Sequence, residues 1–427
     1  MKRFDWILLL ILSVVLSVPV VSAMPDDDAV EELTDNFTRE NPDFDTDREN
    51  LLDSIDLSDF RFLNLKANKI ELNGADWSRV TSSFADCDRR PIRIVHIGDS
   101  HIQADMATGY TRRILQQEFG DAGRGLIVPL KLASTNEPLD YAITSTSQFD
   151  VDKLLSHDWK SRMGFTGVSL TPKSSEFDFT IRANEDFERL YIYYNGASLN
   201  LVSVEYQGKP LVCGADDSPG CLEIGLPFPC NEITVNLTAF GKVSVYGMEL
   251  LSDILGVTYN AIGINGATYS SYNRIEDFGR SIANLEPDLI IISLGTNEAF
   301  GRVDSNEISS QIDAFVTDLR HNNPDAGIVL ITPAECHRRV RQKRRTSFVV
   351  NQQVAAVRKI LLDYAADHGI AVYDLYDVAG GDGSSTDWIA HDLFSRDHIH
   401  YSHSGYELVG RLLYEALINS TLSDNHK

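Results

Sequence analysis

Three familiar patterns are missing from these 427 residues. No G-x-S-x-G occurs, which excludes the strained strand-to-helix elbow on which one large class of hydrolases carries its nucleophile. No H-E-x-x-H occurs, which excludes a zinc site of that helical type. No C-x-x-C occurs, so a thioredoxin-like redox pair and a paired-cysteine zinc site are both excluded. Cationic charge is scarce as well: 38 Lys and Arg stand against 62 Asp and Glu, a net charge of −24. That balance counts against nucleic acid or an anionic membrane surface as a partner. Cysteine is sparse, at five residues, and three of them, Cys213, Cys221 and Cys230, crowd one region. One disulfide is expected within that set, with its pairing left open. The odd count leaves at least one thiol free or paired between chains.

Long apolar runs are missing too, save one at the start. "MKRFDWILLLILSVVLSVPVVSAMPDDD" has Lys2 and Arg3, an apolar run from Trp6 to Val21, and small residues at Val21-Ser22-Ala23. This reads as a cleavable export signal, residues 1–23, cut near Ala23. Pro19 and the acidic Asp26–Asp28 disfavour a retained membrane anchor, and no cysteine follows the cut to carry a lipid. The expected product is exported, periplasmic or secreted, with no membrane span after cleavage. Its 43% hydrophobic and 23% charged content is ordinary for a soluble globular chain, and its length allows more than one domain.

What is present falls into an interrupted α/β pattern. Residues 24–90 read as an acidic arm ending in a helix near Trp77–Phe84. "IRIVHI" (Ile92–Ile97) is a buried strand and Met106–Phe119 an amphipathic helix. Asp288–Gly295, Gly327–Pro333 and Ile370–Leu375 are further short apolar strands. Ile308–Leu319, Val349–Asp367 and Ser404–Leu417 are helical. Alternating strands and helices imply a parallel sheet covered on both faces. Residues 141–250 differ. "FDFTIRA", "RLYIYYN", "LVSVEYQG", "EITVNLTA" and "KVSVYGMEL" alternate and are rich in Val, Tyr and Thr. They predict an antiparallel β-sandwich inserted into an α/β domain built from 91–140 and 251–420. Tyr191, Tyr193, Tyr194 and Tyr206 of this insert could face sugar, since a ring offers an apolar face and a hydroxyl; at least half of them are expected in its core.

The chemistry gathers around Ser100 in "IVHIGDSHIQAD". Alone, a serine before a helix is a capping residue. Its standing changes because partners lie beyond other strand ends, where open α/β sheets place their sites. Asn297 follows the strand at 288, and Asp397 and His400 precede the last helix. A nucleophilic serine needs a base and an acid to fix the base's tautomer, here His400 and Asp397. The Asn297 amide and the backbone N–H groups of Ser100 and Gly266 can hold an oxyanion. Asp99 is expected to shape the turn. His101 either contacts substrate or caps the helix. His391, His398 and His403, with Asp392 and Asp397, raise a zinc site as a rival reading, but they lack a fixed helical spacing and would leave the serine without a base. "CHRRVRQKRRTSF" (Cys336–Phe348) is the one strongly basic run. It reads as a solvated loop face, or as a cationic rim near the site attracting an anionic polymer.

Gly98-Asp99-Ser100, Gly266 in "GINGATYSS", Gly295-x-Asn297 and Asp397-x-x-His400 resemble, in order, the four blocks of the SGNH (GDSL-type) hydrolase family. The resemblance implies a three-layer α/β sandwich with a parallel sheet, and an acyl-enzyme mechanism needing no cofactor. His101 stands where the family commonly has leucine. That departure is similar to a branch reading "HIGDSHIQ" with a β-domain between the first two blocks. This branch resembles peptidoglycan O-acetylesterases, whose insert is like a carbohydrate-binding module. An O-acetylated glycan is therefore the expected substrate. A lipase, arylesterase or thioesterase of the same family, and an inert glycan-binding protein, are the alternatives.

Overall fold

The computed structural model describes residues 55–342 and 345–422. The leader expected at 1–23 and most of the arm expected at 24–90 lie outside the described residues. The arm's helix is there, as α1 (Ser78–Ala85). After it come β1 (Ile92–Gly98), α2 (Ser100–Gln103) and α3 (Met106–Phe119). The rest of the α/β body follows the insert: β2 (Val257–Gly263), β3 (Leu289–Ser293), α4 (Ser305–Asn322), β4 (Gly327–Ile331), β5 (His337–Gln342), β6 (Arg345–Val350), α5 (Gln353–His368), β7 (Ala371–Tyr373) and α6 (His403–Leu422). No helix among the described residues is long and apolar enough to cross a membrane.

Five of these strands form one sheet in the order β2-β1-β3-β4-β7, every neighbour parallel. Both faces are covered, so the strands are mostly apolar rather than alternating, with His96, Thr258 and Asn260 as buried polar exceptions. Ile92, Ile94, Leu289, Ile291 and Val329 face α3 and α6 in one core, against Tyr110 and Leu412. Val95, Ile97, Ile290, Ile292 and Leu330 point the other way, into a core shared with Phe165, Ile192 and Met248 of the insert. The period-2 alternation of strand side chains produces this division. The insert is thus continuous with the sheet's second core.

Two 31-residue strands, Glu176–Tyr206 and Cys221–Leu251, dominate the insert. The second wraps the first: Arg189–Tyr193 pairs with Leu251–Gly247 on one side and with Gly225–Cys221 on the other. All strand pairs here are antiparallel. The body begins at Gly125–Ile127, which pairs with Leu250–Met248, rather than at 141. Three residues carry too little alternation to be read as a strand. Tyr193 and Tyr194 are buried, whereas Tyr191 and Tyr206 keep some exposure. The expected disulfide is not formed, and none of the five cysteines is bridged. Cys221 lies opposite Tyr193 and Cys230 opposite Phe187, well separated on the ladder.

A further correction concerns the basic run, which is not a loop. Its residues form the antiparallel hairpin β5–β6, with His337 paired to Val350 and Gln342 to Arg345. Consequently α5 starts at Gln353 rather than Val349. Phe348, Val349 and Val350 have side chains that favour a pleated surface, and they took part in the strand instead.

The joins to the insert are fixed by buried charge. Asp105 accepts from Arg112 (2.7 Å) and Arg124 (2.5 Å), and Asp140 accepts from the same two guanidinium groups at 2.6 and 3.1 Å. Both arginines and Asp105 are nearly inaccessible to solvent. Removing one partner of such a group strands the opposite charges in a dry interior, typically at 3–5 kcal/mol. Arg112→Met is therefore expected to lose about 3–5 kcal/mol in chemical denaturation. Arg182→Gln, which breaks the exposed pair to Glu232, should leave the denaturation midpoint in place. Equal effects of the two would contradict a clamping role for the buried group.

Candidate active site

The strand order reverses at β1, whose neighbours β2 and β3 both come later in the chain. At such a switch point the loops diverge and open a crevice beyond the carboxyl ends of the strands. The loops after β1, β2 and β3 carry Ser100, Gly266 and Asn297, so three sequence-expected residues arrive from three adjacent strands. Glycines let α2 lie directly against the sheet. A Cβ on Gly98 would meet Ile102 Cγ1 at 2.3 Å and the Ser293 carbonyl at 2.8 Å. One on Gly263 would meet the Gln103 nitrogen at 2.1 Å.

Ser100 is the first residue of α2, and His400 reaches it from the turn before α6. Ser100 Oγ lies 2.8 Å from His400 Nε2, across 300 residues of sequence. His400 Nδ1 lies 2.6 Å from Asp397 Oδ2. Its proton belongs on Nδ1, facing the carboxylate, which leaves Nε2 to accept from the Ser100 hydroxyl. Asp397 Oδ1 in turn accepts from Ser395 Oγ (2.7 Å) and from the N–H groups of Ile399 (2.8 Å) and His400 (3.0 Å). Burial alone would raise the Asp397 pKa. The His400 hydrogen bond and charge, followed by those other donors, outweigh it and hold the carboxyl well below the usual range. The acid is ionised and rigid, and the base is oriented by it.

Asp99 caps α2, its Oδ1 accepting from the His101 N–H at 3.0 Å. Its other oxygen accepts from Asn297 Nδ2 at 3.2 Å, and the same nitrogen donates to the Ala267 carbonyl at 2.9 Å. Asn297 therefore ties the β1 loop to the β2 loop, with both amide hydrogens committed inside the protein. The N–H groups of Ser100 and Gly266, the latter at φ +78°, take no acceptor among the described residues. Burial pushes Asp99 up to about 6, against lowering by the His101 N–H and the His400 charge. Sequence reasoning missed the next residue, Glu298. Its Oε1 accepts from the Tyr269 N–H at 2.9 Å, while its Oε2 is buried without a partner. Burial, with a smaller contribution from Asp99, pushes it up to about 7. Its position one residue after Asn297 was the only available signal.

The other histidines go elsewhere. His101 neither caps α2 with its ring nor stands in the open. The ring packs 5.2 Å from His400 and 5.4 Å from Tyr401, with Nδ1 3.2 Å from the Tyr406 hydroxyl. Burial and then the His400 charge push it down to about 3, so it is a neutral wall. His391 bonds the Asp387 carbonyl, His403 pairs with Glu407, and His398 faces His337. A cavity of about 70 Å³ lies beneath the catalytic loop, lined by Asp99, His101, Ile331, Cys336, Tyr401 and Tyr406 among others. Neither Ser100 nor His400 lines it.

Residues 235–408 match the model of the GDSL-like Lipase/Acylhydrolase family. The match takes in Gly266, Asn297, Asp397 and His400 and begins downstream of Ser100. No curated protein matches the chain. A solved structure of a peptidoglycan O-acetylesterase is similar at a TM-score of 0.67 and 19% identity, covering 82% of this chain and 97% of that one. A family two carbohydrate esterase from Cellvibrio japonicus is 13% identical at a TM-score of 0.25, covering 66% and 98%. The acetyl xylan esterase AlAXEase is 18% identical at 0.28, covering 38% and 81%. The first likeness shows a shared fold: a parallel α/β sheet with an inserted antiparallel body.

The carboxyl of Glu298, with one oxygen unpartnered, makes a pH-dependent contribution that can be measured. With a folded pKa about 7 against an ordinary 4.5, it stabilises the folded chain below about 4.5 and stops doing so as pH rises through about 7. Glu298→Gln keeps the acceptor for Tyr269 and cannot ionise. Relative to the native chain, it is expected to gain roughly 3 kcal/mol between about pH 4.5 and pH 8. Chemical denaturation at the two pH values checks this, and a stability difference that does not change with pH would contradict it.

Proposed function

We propose that this chain, residues 235–408 of which match the GDSL-like Lipase/Acylhydrolase family model, is an exported carbohydrate O-acetylesterase acting on peptidoglycan. The observation that carries the reading is the unbroken chain from Ser100 Oγ through His400 to Asp397. It lies beneath an insert-bearing fold like that of the peptidoglycan O-acetylesterase. Export is supported by the residues of the leader alone.

In this reading Ser100 Oγ attacks the acetyl carbonyl carbon while His400 Nε2 takes its proton. The carbonyl oxygen, now an oxyanion, is held by the N–H groups of Ser100 and Gly266. Asn297 joins them by exchanging its Asp99 hydrogen bond, the longer of its two, for one to the oxyanion. Collapse of the tetrahedral species breaks the ester bond, and His400 returns the proton to the leaving sugar hydroxyl. Water, deprotonated by His400, then attacks the acetyl-Ser100 ester and releases acetate. Asp397 stays ionised throughout and stabilises the imidazolium formed in each step. Every role falls to a group of the chain itself. The acyl group is small, so discrimination among esters falls to the walls of the crevice rather than to the triad.

Ser100→Ala should lower kcat on an aryl acetate by about 10⁴-fold or more. Adding His400→Ala to it should cost almost nothing further, because the two act as a unit. Acetate release from O-acetylated peptidoglycan should exceed that from acetylated xylan, both measured with the native protein. Near-native turnover in Ser100→Ala would overturn the mechanism. A clear preference for long acyl chains would overturn the glycan reading in favour of a lipase.

A further inference from the structure

The hairpin β5–β6 has no part in the triad, yet its base is bolted to both sides of it. The His337 N–H donates to the His398 carbonyl at 2.9 Å, and His398 lies between Asp397 and His400. The Phe348 ring rests on the His398 ring at 4.5 Å. On the returning strand's exit, the Asn351 N–H donates to the Cys336 carbonyl at 2.9 Å and closes the base. The Asn351 side chain donates to the Ala299 carbonyl at 3.0 Å, two residues beyond Asn297. The hairpin therefore rises from the rim of the crevice between the acid–base turn and the Asn297 loop.

Its sequence concentrates cations as nothing else in the chain does. Arg338, Arg339, Arg341, Lys343, Arg344 and Arg345 fall within eight residues of a protein whose net charge is −24. Arg338, Arg339 and Arg341 are exposed. Neither Arg338 nor Arg341 has an ionic partner among the described residues. An acidic protein that holds unneutralised guanidinium groups at one edge of its site has a local field opposite to its overall field. Such a field acts within a Debye length of about 8 Å at physiological salt. It selects a thread-like polyanion that can lie along the rim, and the remainder of the protein repels extended anionic surfaces.

We propose that this hairpin is a guide for a carboxylate-bearing glycan strand, the carboxylates being those of peptidoglycan peptide stems. This rests on the substrate reading above and deepens it. An anionic membrane is disfavoured by the net charge of −24. Each exposed guanidinium–carboxylate pair contributes a factor of a few at most. Arg338 and Arg341, three residues apart on one strand, lie on opposite faces of the hairpin, so a polymer meets a cation on either face. Together they set how often it is presented to Ser100, and leave the chemical step unchanged.

The test uses binding, so that it stands apart from turnover. Ser100→Ala protein, with and without Arg338→Gln and Arg341→Gln, is cosedimented with peptidoglycan stripped of its O-acetyl groups. Parallel samples contain peptidoglycan with amidated stem carboxylates, neutral xylan, or anionic lipid vesicles. The paired substitutions should weaken binding to stripped peptidoglycan about fivefold and flatten its salt dependence. Amidated stems should reproduce that loss in the parent protein. In a Ser100 background, the same two substitutions should leave kcat/KM on a neutral aryl acetate unchanged, which also reports intact folding. Unchanged binding to stripped peptidoglycan, or equal losses on xylan, would overturn the proposal. Arginine-dependent binding to vesicles and not to peptidoglycan would replace it with a membrane contact. Arginine-dependent peptidoglycan binding without acetate release from the O-acetylated polymer would sink the substrate reading while leaving the guide in place.

Discussion

The hydrogen bond between Ser100 Oγ and His400 Nε2 closes a loop of 300 residues, and most of the architecture can be understood as what holds its two ends together. One end is fixed by β1, buried in the middle of a parallel sheet and followed at once by a short helix. The other is fixed by the turn before α6, which packs with α3 on the same face of that sheet. A hydroxyl and an imidazole must be held within about 2.6–3.2 Å of each other to exchange a proton. That tolerance explains the tight approach of α2 at Gly98 and Gly263 and the rigid cradle of donors around Asp397. It also explains why an insert of more than a hundred residues can interrupt the chain harmlessly. The insert leaves and returns on one side of the sheet and joins its second core, away from the α3–α6 face.

Three carboxyls near the serine, Asp99 buried and Asp397 and Glu298 partly so, behave differently because their partners differ. Asp397 has donors on both oxygens and a base beside it, so it stays ionised. Asp99 shares its oxygens between a cap and the Asn297 amide and sits between the extremes. Glu298 has one donor and one orphaned oxygen, and burial wins. Asp397 keeps its negative charge where an imidazolium forms during turnover, while burial raises the pKa of Asp99 and Glu298 beside the oxyanion donors.

Much of this was legible in the sequence. The strand before Ser100, the helix Met106–Phe119 and the three later strands stood out because buried parallel strands are uniformly apolar and helices carry a 3.6 period. Ser100, Asp397, His400 and Asn297 could be named because each follows a strand or precedes a helix at the same end of the sheet, and Gly266 because its block "GINGATYSS" resembles one of the family's. What stayed hidden depends on contacts distant in sequence. β2 (Val257–Gly263) went unread because Thr258 and Asn260, both buried, break its apolar run. The hairpin β5–β6 was hidden by its arginines, which mask alternation. The commitment of Asn297 to Asp99 and Ala267, the packing of His101 against Tyr406, and the orphaned oxygen of Glu298 are three-dimensional facts with no local signature.

Insert and hairpin together make this crevice more than a bare triad, but neither matters unless Ser100 becomes acylated. The most direct measurement is mass spectrometry of the protein quenched with acid during turnover of an aryl acetate, followed by peptide mapping. The account predicts a single acetyl group, carried on the peptide that contains Ser100 and absent when His400 is replaced by alanine. Acetate release with no acetyl group on Ser100, or an acetyl group carried on another residue, would contradict it.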